Sequence, residues 1–573
     1  MRQHAGHIDG TTVLARARSY PHPDMGRVVA SDWGIRSAKP QGEIVFDEPL
    51  TALNANAARP RGSVRQRLAR TIATSSAGVA TLALPASMTA IIAAGAALRF
   101  WDINALGYNS DEAVYTGQAA ALAGDPDLST YFPIFRAHPM VFQFTLSVAF
   151  SLFGVHDIIG RSLVALIGLV TIWIVYRIGS ELYGPWTGVV AAALMALMPY
   201  HVIVTRQVLL DGPLTFCTTL TLLMLVRYAR TGKAWYLMAV GAGLGLTFLT
   251  KETGFVLAGA AFAFLALSPE IRIRFWPLVA AGVSMMVPIM MFPISIALAG
   301  RSDTAQSYLV WQLLRRSNHP WNFFPTVVPP AMGWLVLITA VSSLLLLRKQ
   351  HSWRETLLVC WIVVPTVVFQ LWPVKGFQYL LPIAPAVSML VARLLVSWRP
   401  SLRWPRTGFP LLNAAMTIVV LLSLMIPSLA LATNQDATSR LAGAGGIPGV
   451  RETGLWVDQN LPEDAVLATI GPSMANMMQF YGNRRAYGLS VSTNPLHRNP
   501  SYKPIANPDA SFRYGDVQYL VYDSFSASRS EFFTQTLYQY VDKYDAREIY
   551  SYSIPTPDHP EGTKIIIIYE VRP

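Results

Sequence analysis

Two adjacent carboxylates, Asp111 and Glu112, stand at the centre of Tyr108-Asn-Ser-Asp-Glu-Ala-Val-Tyr115, just after the first long apolar segment. A helical-looking run, Ala113 to Ala123, follows and stops at Gly124-Asp-Pro126. Burying charge near lipid is costly, so the pair calls for a reason. One reason is local: Asn109, Ser110 or Asp111 caps a short surface helix. The other is chemical. One carboxylate can take the proton of a weakly nucleophilic hydroxyl, while its neighbour orients the acceptor or raises the base's pKa by like-charge repulsion. Side chains adjacent in sequence diverge in direction, so only one of the two is expected to be the base.

Further ionisable residues recur at the ends of apolar segments: Arg161, Arg206, Asp211, Lys251, Glu252 and Lys375. Such groups cost about 2.5–3.5 kcal/mol near a helix centre and less at the interface. A single Lys or Arg at such a position is explained by snorkelling to headgroups. Four on one external side are harder to explain, because positive residues favour the cytoplasmic side. Cations facing two carboxylates point to an anion held beside a base. Phosphate is the natural one, since Arg and Lys give it several charge-assisted hydrogen bonds. A phosphate approached from membrane spans implies a lipid phosphate, a good leaving group once fixed cations neutralise it.

The elements that must position these residues follow from composition. The chain has 573 residues, 52% hydrophobic and 14% charged, with a mean hydropathy of +0.36. Long uncharged runs make it a multi-spanning membrane protein. Much of the +12 net charge lies beside apolar segments; that is a topological signature, and no motif for nucleic acid appears. Cys217 and Cys360 both lie inside apolar segments, which supports neither a disulfide framework nor a cysteine metal site. No early apolar core marks a cleavable signal peptide.

Three regions are expected. Residues 1–75 read as a disordered, basic cytoplasmic arm. Arg61, Arg65, Arg67 and Arg70 precede the first span and hold the arm inside. Residues 76–432 form a mostly α, polytopic domain of about 11 spans. The first is expected near 77–98, and the others near 161–179, 185–204, 211–228, 235–250, 254–268, 276–298, 328–347, 356–372, 377–396 and 409–431. The apolar stretch 138–153 is short for a crossing and reads as re-entrant or interfacial. The basic loop 300–327 reads as a membrane-lying helix at headgroup level, with a lid over the site as the second option.

Residues 433–573 read as a small extracytoplasmic α/β domain. Helices are expected at 452–460 and 530–544, and strands at 465–469, 516–522 and 564–571, with a turn at His559-Pro-Glu-Gly562. The four isoleucines 565–568 suit a strand buried on both faces. Nucleophile, metal and phosphate motifs are absent from this region, which leaves it a supporting or acceptor-binding role.

Six pieces in order resemble a known family over about residues 80–400. They are Asp111-Glu112, His138-Pro139, Gly160-Arg161-Ser-Leu163, Arg206-Gln-Val-Leu-Leu-Asp211, Leu249-Thr-Lys-Glu-Thr-Gly254 and Pro373-Val-Lys-Gly-Phe-Gln-Tyr-Leu-Leu-Pro382. Together they resemble the GT-C glycosyltransferases of the protein O-mannosyltransferase and aminoarabinose (lipid A) transferase group. The resemblance implies a polyprenyl-phosphate-linked sugar donor, transfer outside the cytoplasm and inversion at the anomeric carbon. It implies Asp111 as general base with Glu112 as its neighbour. Arg161, Arg206, Lys251 and Lys375 would be phosphate contacts, Asp211 would orient Arg206 or Lys251, and His138 and Tyr379 would line the pocket. Met140 stands where a second proline is common, and Gln378 replaces a frequent arginine.

The expected location is the cell membrane of a prokaryote, or the endoplasmic reticulum of a eukaryote. The acceptor is left open among protein, glycan and glycolipid. No cofactor is assigned; a divalent metal stays an option, with Asp303 as the one obvious further external carboxylate. The competing class is a transporter or flippase of a lipid-linked or anionic substrate. It would show internal repeats and mid-span polar residues, neither of which is apparent here.

Overall fold

The computed structural model describes residues 83–134, 138–398, 409–433, 446–556 and 559–572. The arm expected at 1–75 lies outside the described residues. The chain starts with α1 (Ala83–Phe100), α2 (Ser110–Leu122), α3 (Pro126–Tyr131) and α4 (Val141–Phe153). It continues through α5 (Asp157–Tyr183), α6 (Pro185–Leu197), α7 (Pro199–Val204), α8 (Asp211–Thr231), α9 (Ala234–Thr250), α10 (Val256–Leu267) and α11 (Phe275–Leu298). Then come α12 (Ser302–Leu314), α13 (Phe323–Met332), α14 (Trp334–Leu346), α15 (Trp353–Leu371), α16 (Ala384–Ser397) and α17 (Phe409–Thr433).

Seven of the described helices are long and apolar enough to cross a membrane: α1, α5, α8, α11, α15, α17 and the segment Phe377–Ser397 that contains α16. The protein is a multi-pass membrane protein with a mostly helical fold. One expected straight span, 328–347, is instead two helices, α13 and α14, meeting at 93°. Pro329 and Pro330 lack amide donors, and Gly333 takes a φ of +92° at the break. Counting the bent pair as one span gives eight. The expected total of about 11 would need three of the shorter apolar helices to cross as well. The 13 residues of α4 rise about 20 Å, against a hydrocarbon core of about 30 Å. The 300–327 stretch forms α12, followed by the start of α13.

The helix ends sort into two poles. At one, Glu181 gathers Arg177, Arg227 and Arg230 from the ends of α5 and α8. Near the same end of α5, Tyr183 donates to Glu355, which also pairs with Arg393 of α16. Opposite lie the start of α5, the start of α8 and the end of α9, which carry Arg161, Asp211 and Lys251.

The C-terminal region adds α18 (Val450–Asn460), α19 (Pro472–Tyr481), α20 (Pro508–Arg513), α21 (Ser524–Ala527) and α22 (Glu531–Lys543). Its strands are β1 (Val466–Thr469), β2 (Arg485–Gly488), β3 (Tyr519–Asp523), β4 (Arg547–Thr556) and β5 (His559–Glu570), in sheet order β2-β1-β3-β5-β4. The first three pair in parallel, and β5 runs antiparallel between β3 and β4. The expected turn at 559–562 is part of β5, which pairs with β4 as a long hairpin. Ile566, Ile567 and Ile568 are buried, as a strand flanked on both edges and covered on both faces requires.

Side-chain alternation gives each face of this sheet its own core. Ala468 and Leu520 pack with Phe512 and Leu537. Leu467, Tyr519, Val521, Ile566 and Ile568 pack toward α18 and α19, in a core continuous with Tyr108, Phe132, Phe142 and Leu146. The sheet therefore shares its hydrophobic interior with the segment that carries Asp111.

Candidate active site

The start of α2 decides which carboxylate is free. Asn109 caps it: its Oδ1 accepts from the amides of Asp111 and Glu112, each at 3.0 Å. Glu112 closes the capping box by accepting from the Asn109 amide at 3.1 Å. The fully buried Glu112 carboxylate also accepts from Arg161 Nε and Nη2, each at 2.9 Å, and from the Val208 amide at 3.0 Å. Glu112 thus pins α2 to α5 and to the 206–208 corner. Helix geometry then turns Asp111 another way.

Asp111 is exposed at its surface yet surrounded by protein groups, and none of the described residues donates a hydrogen bond to its carboxylate. Loss of bulk water around it raises its pKa above the ordinary aspartate value. Lys251 opposes that shift, Asp211 reinforces it, and His138 and Glu112 act more weakly with opposite signs.

Lys251 and Asp211 face Asp111 as a pair. The Lys251 ammonium lies 2.8 Å from each Asp211 oxygen. The pair sits where α9 ends and α8 begins, which puts the cation at a helix C-terminus and the anion at an N-terminus. Tyr379 lies beneath the ammonium, 4.9 Å from Nζ to the ring centroid. Gly376 makes room for that ring, because a Cβ there would meet Tyr379 at 2.6 Å. On another side, His138 is 3.4 Å from Glu252 and 3.3 Å from the Tyr308 hydroxyl, which accepts from Gln312 at 2.6 Å. The site therefore brings together Asp111, His138, Asp211, Lys251, Glu252 and Tyr379 with Tyr308, and with Tyr115, whose phenol is raised well above its ordinary pKa by burial and by the nearby Asp111 and Asp211 charges.

The expected cluster of four cations is not formed. Arg161 uses all five guanidinium donors, on Glu112 and on the carbonyls of Ile103, Leu106 and Gly107. Arg206 Nη1 donates to Leu98 and Arg99 carbonyls at the end of α1. Lys375 Nζ donates to Gln370 and Trp372 carbonyls at the end of α15. Arg206 and Lys375 thus satisfy helix carbonyls left without intrahelical partners. Of the four, Lys251 alone faces Asp111.

The C-terminal region buttresses the carboxylate. Asn476 donates to Ser110 Oγ at 2.9 Å, and the Tyr108 amide donates to Tyr481 at 2.8 Å. Arg451 pairs with Asp157 at 2.7 Å and donates to Asn104 and Leu106.

Sequence reasoning missed Tyr115 and Tyr308 at the site. Tyr115 carried a readable signal, since it stands four residues after Asp111 on one helix face. Tyr308 carried none, because its place depends on how α12 folds back. Among the described residues, no three His, Cys, Asp or Glu side chains converge as a metal site, and Asp303 is exposed in the first turn of α12.

Residues 137–295 match the Dolichyl-phosphate-mannose-protein mannosyltransferase family. An undecaprenyl phosphate-alpha-4-amino-4-deoxy-L-arabinose arabinosyl transferase from Pectobacterium carotovorum is 25% identical over 181 residues, 30% of this chain and 32% of that protein. The match thus spans about a third of that relative's length. ArnT from Cupriavidus metallidurans in the apo state shares the fold at 14% identity and a TM-score of 0.61, over 86% of this chain and 98% of that one. The same protein bound to undecaprenyl phosphate gives a TM-score of 0.55, over 85% and 97%. The oligosaccharyltransferase AglB from Archaeoglobus fulgidus, in complex with an inhibitory peptide and a dolichol-phosphate, gives 0.51 at 14% identity, over 85% and 74%. These relatives are GT-C glycosyltransferases, and the chain has their fold.

Proposed function

We propose that this protein is a membrane glycosyltransferase that moves a sugar from a polyprenyl-phosphate donor to an acceptor hydroxyl on the extracytoplasmic side. The observation that carries this reading is the open Asp111 carboxylate, raised in pKa and set beside the buried Lys251–Asp211 pair. A base needs a free carboxylate near its acceptor, and a departing phosphate needs a fixed cation.

In this reading Asp111 takes the proton of the acceptor hydroxyl as its oxygen attacks the anomeric carbon. The bond from that carbon to the phosphate oxygen breaks, and the electron pair leaves with the polyprenyl phosphate. Attack opposite the leaving group inverts the anomeric centre. Lys251 neutralises the developing phosphate charge and is itself held by Asp211. Glu112 and Arg161 position the base from behind. The Asp111 pole then faces outward and the Glu181 pole faces the cytoplasm, so the 446–572 region lies outside with Asp111.

The test is donor consumption in liposomes. Wild type and Asp111→Asn are given a panel of radiolabelled polyprenyl-phosphate sugars with cell-envelope extract as acceptor. Sugar release by the wild type and its loss in Asp111→Asn would support the reading and name the sugar. Equal release by both proteins would remove Asp111 as base. Movement of intact donor across the bilayer without release would favour a transporter.

A further inference from the structure

Glu252 directly follows Lys251 yet takes no part in holding Asp211. At Lys251, α9 gives way to extended backbone with a φ of −160°, and Glu252 opens a short 3-10 turn, Glu252–Phe255. The two side chains leave in different directions, Lys251 toward Asp211 and Glu252 toward His138. Gly254 fixes the turn, because a Cβ there would meet Thr247 at 2.5 Å and Leu214 at 2.7 Å.

The Glu252 carboxylate is short of donors. Its Oε1 lies 3.4 Å from His138 Nδ1. Its Oε2 is buried and accepts no hydrogen bond from any described residue. Nearby donors are turned elsewhere: the Lys251 ammonium to Asp211, and the Gln312 amide to Tyr308. A buried carboxylate oxygen left without a donor is costly, so native structures supply one. The side chain is 32% exposed, and the broad terminal torsion of glutamate lets either oxygen turn to the open side. Tyr115 feels the charges of both Asp111 and Glu252, and Tyr308 and Tyr379 also feel that of Glu252. The two carboxylates therefore border one space.

We infer that Glu252 determines specificity for the donor sugar, accepting a hydrogen bond from a hydroxyl or ammonium of the sugar whose phosphate Lys251 holds. Adjacent residues thus divide the donor between them, the cation taking its phosphate and the carboxylate its sugar. A uronate sugar is rejected, because its charge would meet Asp111, Asp211 and Glu252 in one space. This assignment rests on the reading of Lys251 as the partner of the donor phosphate.

The test is equilibrium binding to the full-length protein in nanodiscs, with no acceptor present, so that the donor stays intact. The probes are undecaprenyl phosphate alone and undecaprenyl phosphate carrying a neutral hexose, an amino sugar or a hexuronate. In wild type the neutral or the amino sugar should add at least about tenfold to the affinity of the bare lipid phosphate, and the uronate should add nothing. Glu252→Ala should remove that gain and leave the bare lipid phosphate bound within about twofold. Single-deoxy forms of the best donor locate the contact: one of them should cost wild type about tenfold and cost Glu252→Ala nothing. Glu252→Gln keeps a carbonyl acceptor without the charge. It should retain a hydroxyl-bearing donor, lose an ammonium-bearing one, and bind the uronate donor better than wild type does; either identity of the contacting group supports the assignment. Equal affinity of wild type for bare and sugar-bearing lipid would overturn it. So would an unchanged sugar preference in both variants, or equal losses for bare and sugar-bearing lipid in both, which would make Glu252 a residue that holds the fold. Failure of the glycosyltransferase reading would show separately, as absent Asp111-dependent sugar release, because these measurements need no turnover.

Discussion

Arg161 closes around Glu112 so completely that its guanidinium keeps no donor for a ligand, while Asp111, one residue earlier, accepts none from any described residue. Two adjacent carboxylates thereby acquire opposite tasks. Burial and full pairing make one a structural anchor, and openness makes the other available for chemistry.

Asp111→Asn should lower turnover by about 10²–10⁴-fold, the range supplied by a positioned base. The folded pKa of Asp111 is raised, so its ionised form weakens the fold once pH rises through that pKa. The thermal midpoint of Asp111→Asn at neutral pH should thus equal or exceed that of wild type. Wild-type rate should rise with pH through a midpoint above the ordinary aspartate value. A midpoint at or below that value would contradict the assignment.

Arg161→Ala should destabilise the protein by about 3–5 kcal/mol, because it strands the buried Glu112 carboxylate. Arg161→Lys should rescue little, since three donors cannot replace five in this geometry. Thermal unfolding in detergent reads both. A wild-type midpoint in Arg161→Ala would show that the pair does not hold α2.

Lys251→Met should weaken undecaprenyl-phosphate binding by about 10- to 100-fold, the loss of one charge-assisted bond. Lys375→Ala removes a cation of the same type that faces helix carbonyls instead. It should lower the thermal midpoint and leave affinity within about twofold. Equal losses of affinity in the two variants would move the phosphate site away from Lys251.

Asp523→Asn offers a pH test of the C-terminal sheet. Burial pushes this carboxyl up to about 6, although the Ser526 amide donates to its Oδ1 at 2.6 Å. The protonated form is favoured by folding, so the contribution is complete below about 4 and is lost as pH rises through about 6. Asp523→Asn should match wild type near pH 4 and gain thermal stability over it above pH 6. An advantage that does not change with pH would place its cause elsewhere.

Much of this was legible in the sequence. Apolar length revealed most of the long helices, since crossing lipid demands a continuous run with its backbone bonded internally. The Asn-Ser-Asp-Glu start of α2 was readable as a cap. The Lys251–Asp211 pair was foreshadowed by two opposite charges at adjacent span ends. In the sheet, β1, β3 and β5 carried apolar runs, whereas β2 and β4 did not and were missed. Arg485-Ala-Tyr-Gly488 has no β-branched or aliphatic run, and Arg547–Thr556 is too polar to stand out.

The sequence by itself determined that this is a multi-pass membrane protein with carboxylates and cations at its helix ends. It did so because hydropathy and charge are local properties of the chain. Which carboxylate is free, and which cation faces it, only the tertiary structure decided. Those outcomes depend on partners far away in sequence. Arg161 reaches back 49 residues to Glu112, Lys251 meets Asp211 across two helices, and Arg206 and Lys375 turn to the carbonyls of helix ends. A lone arginine reads the same whether it holds a fold together or grips a phosphate; the geometry of its donors tells the two apart.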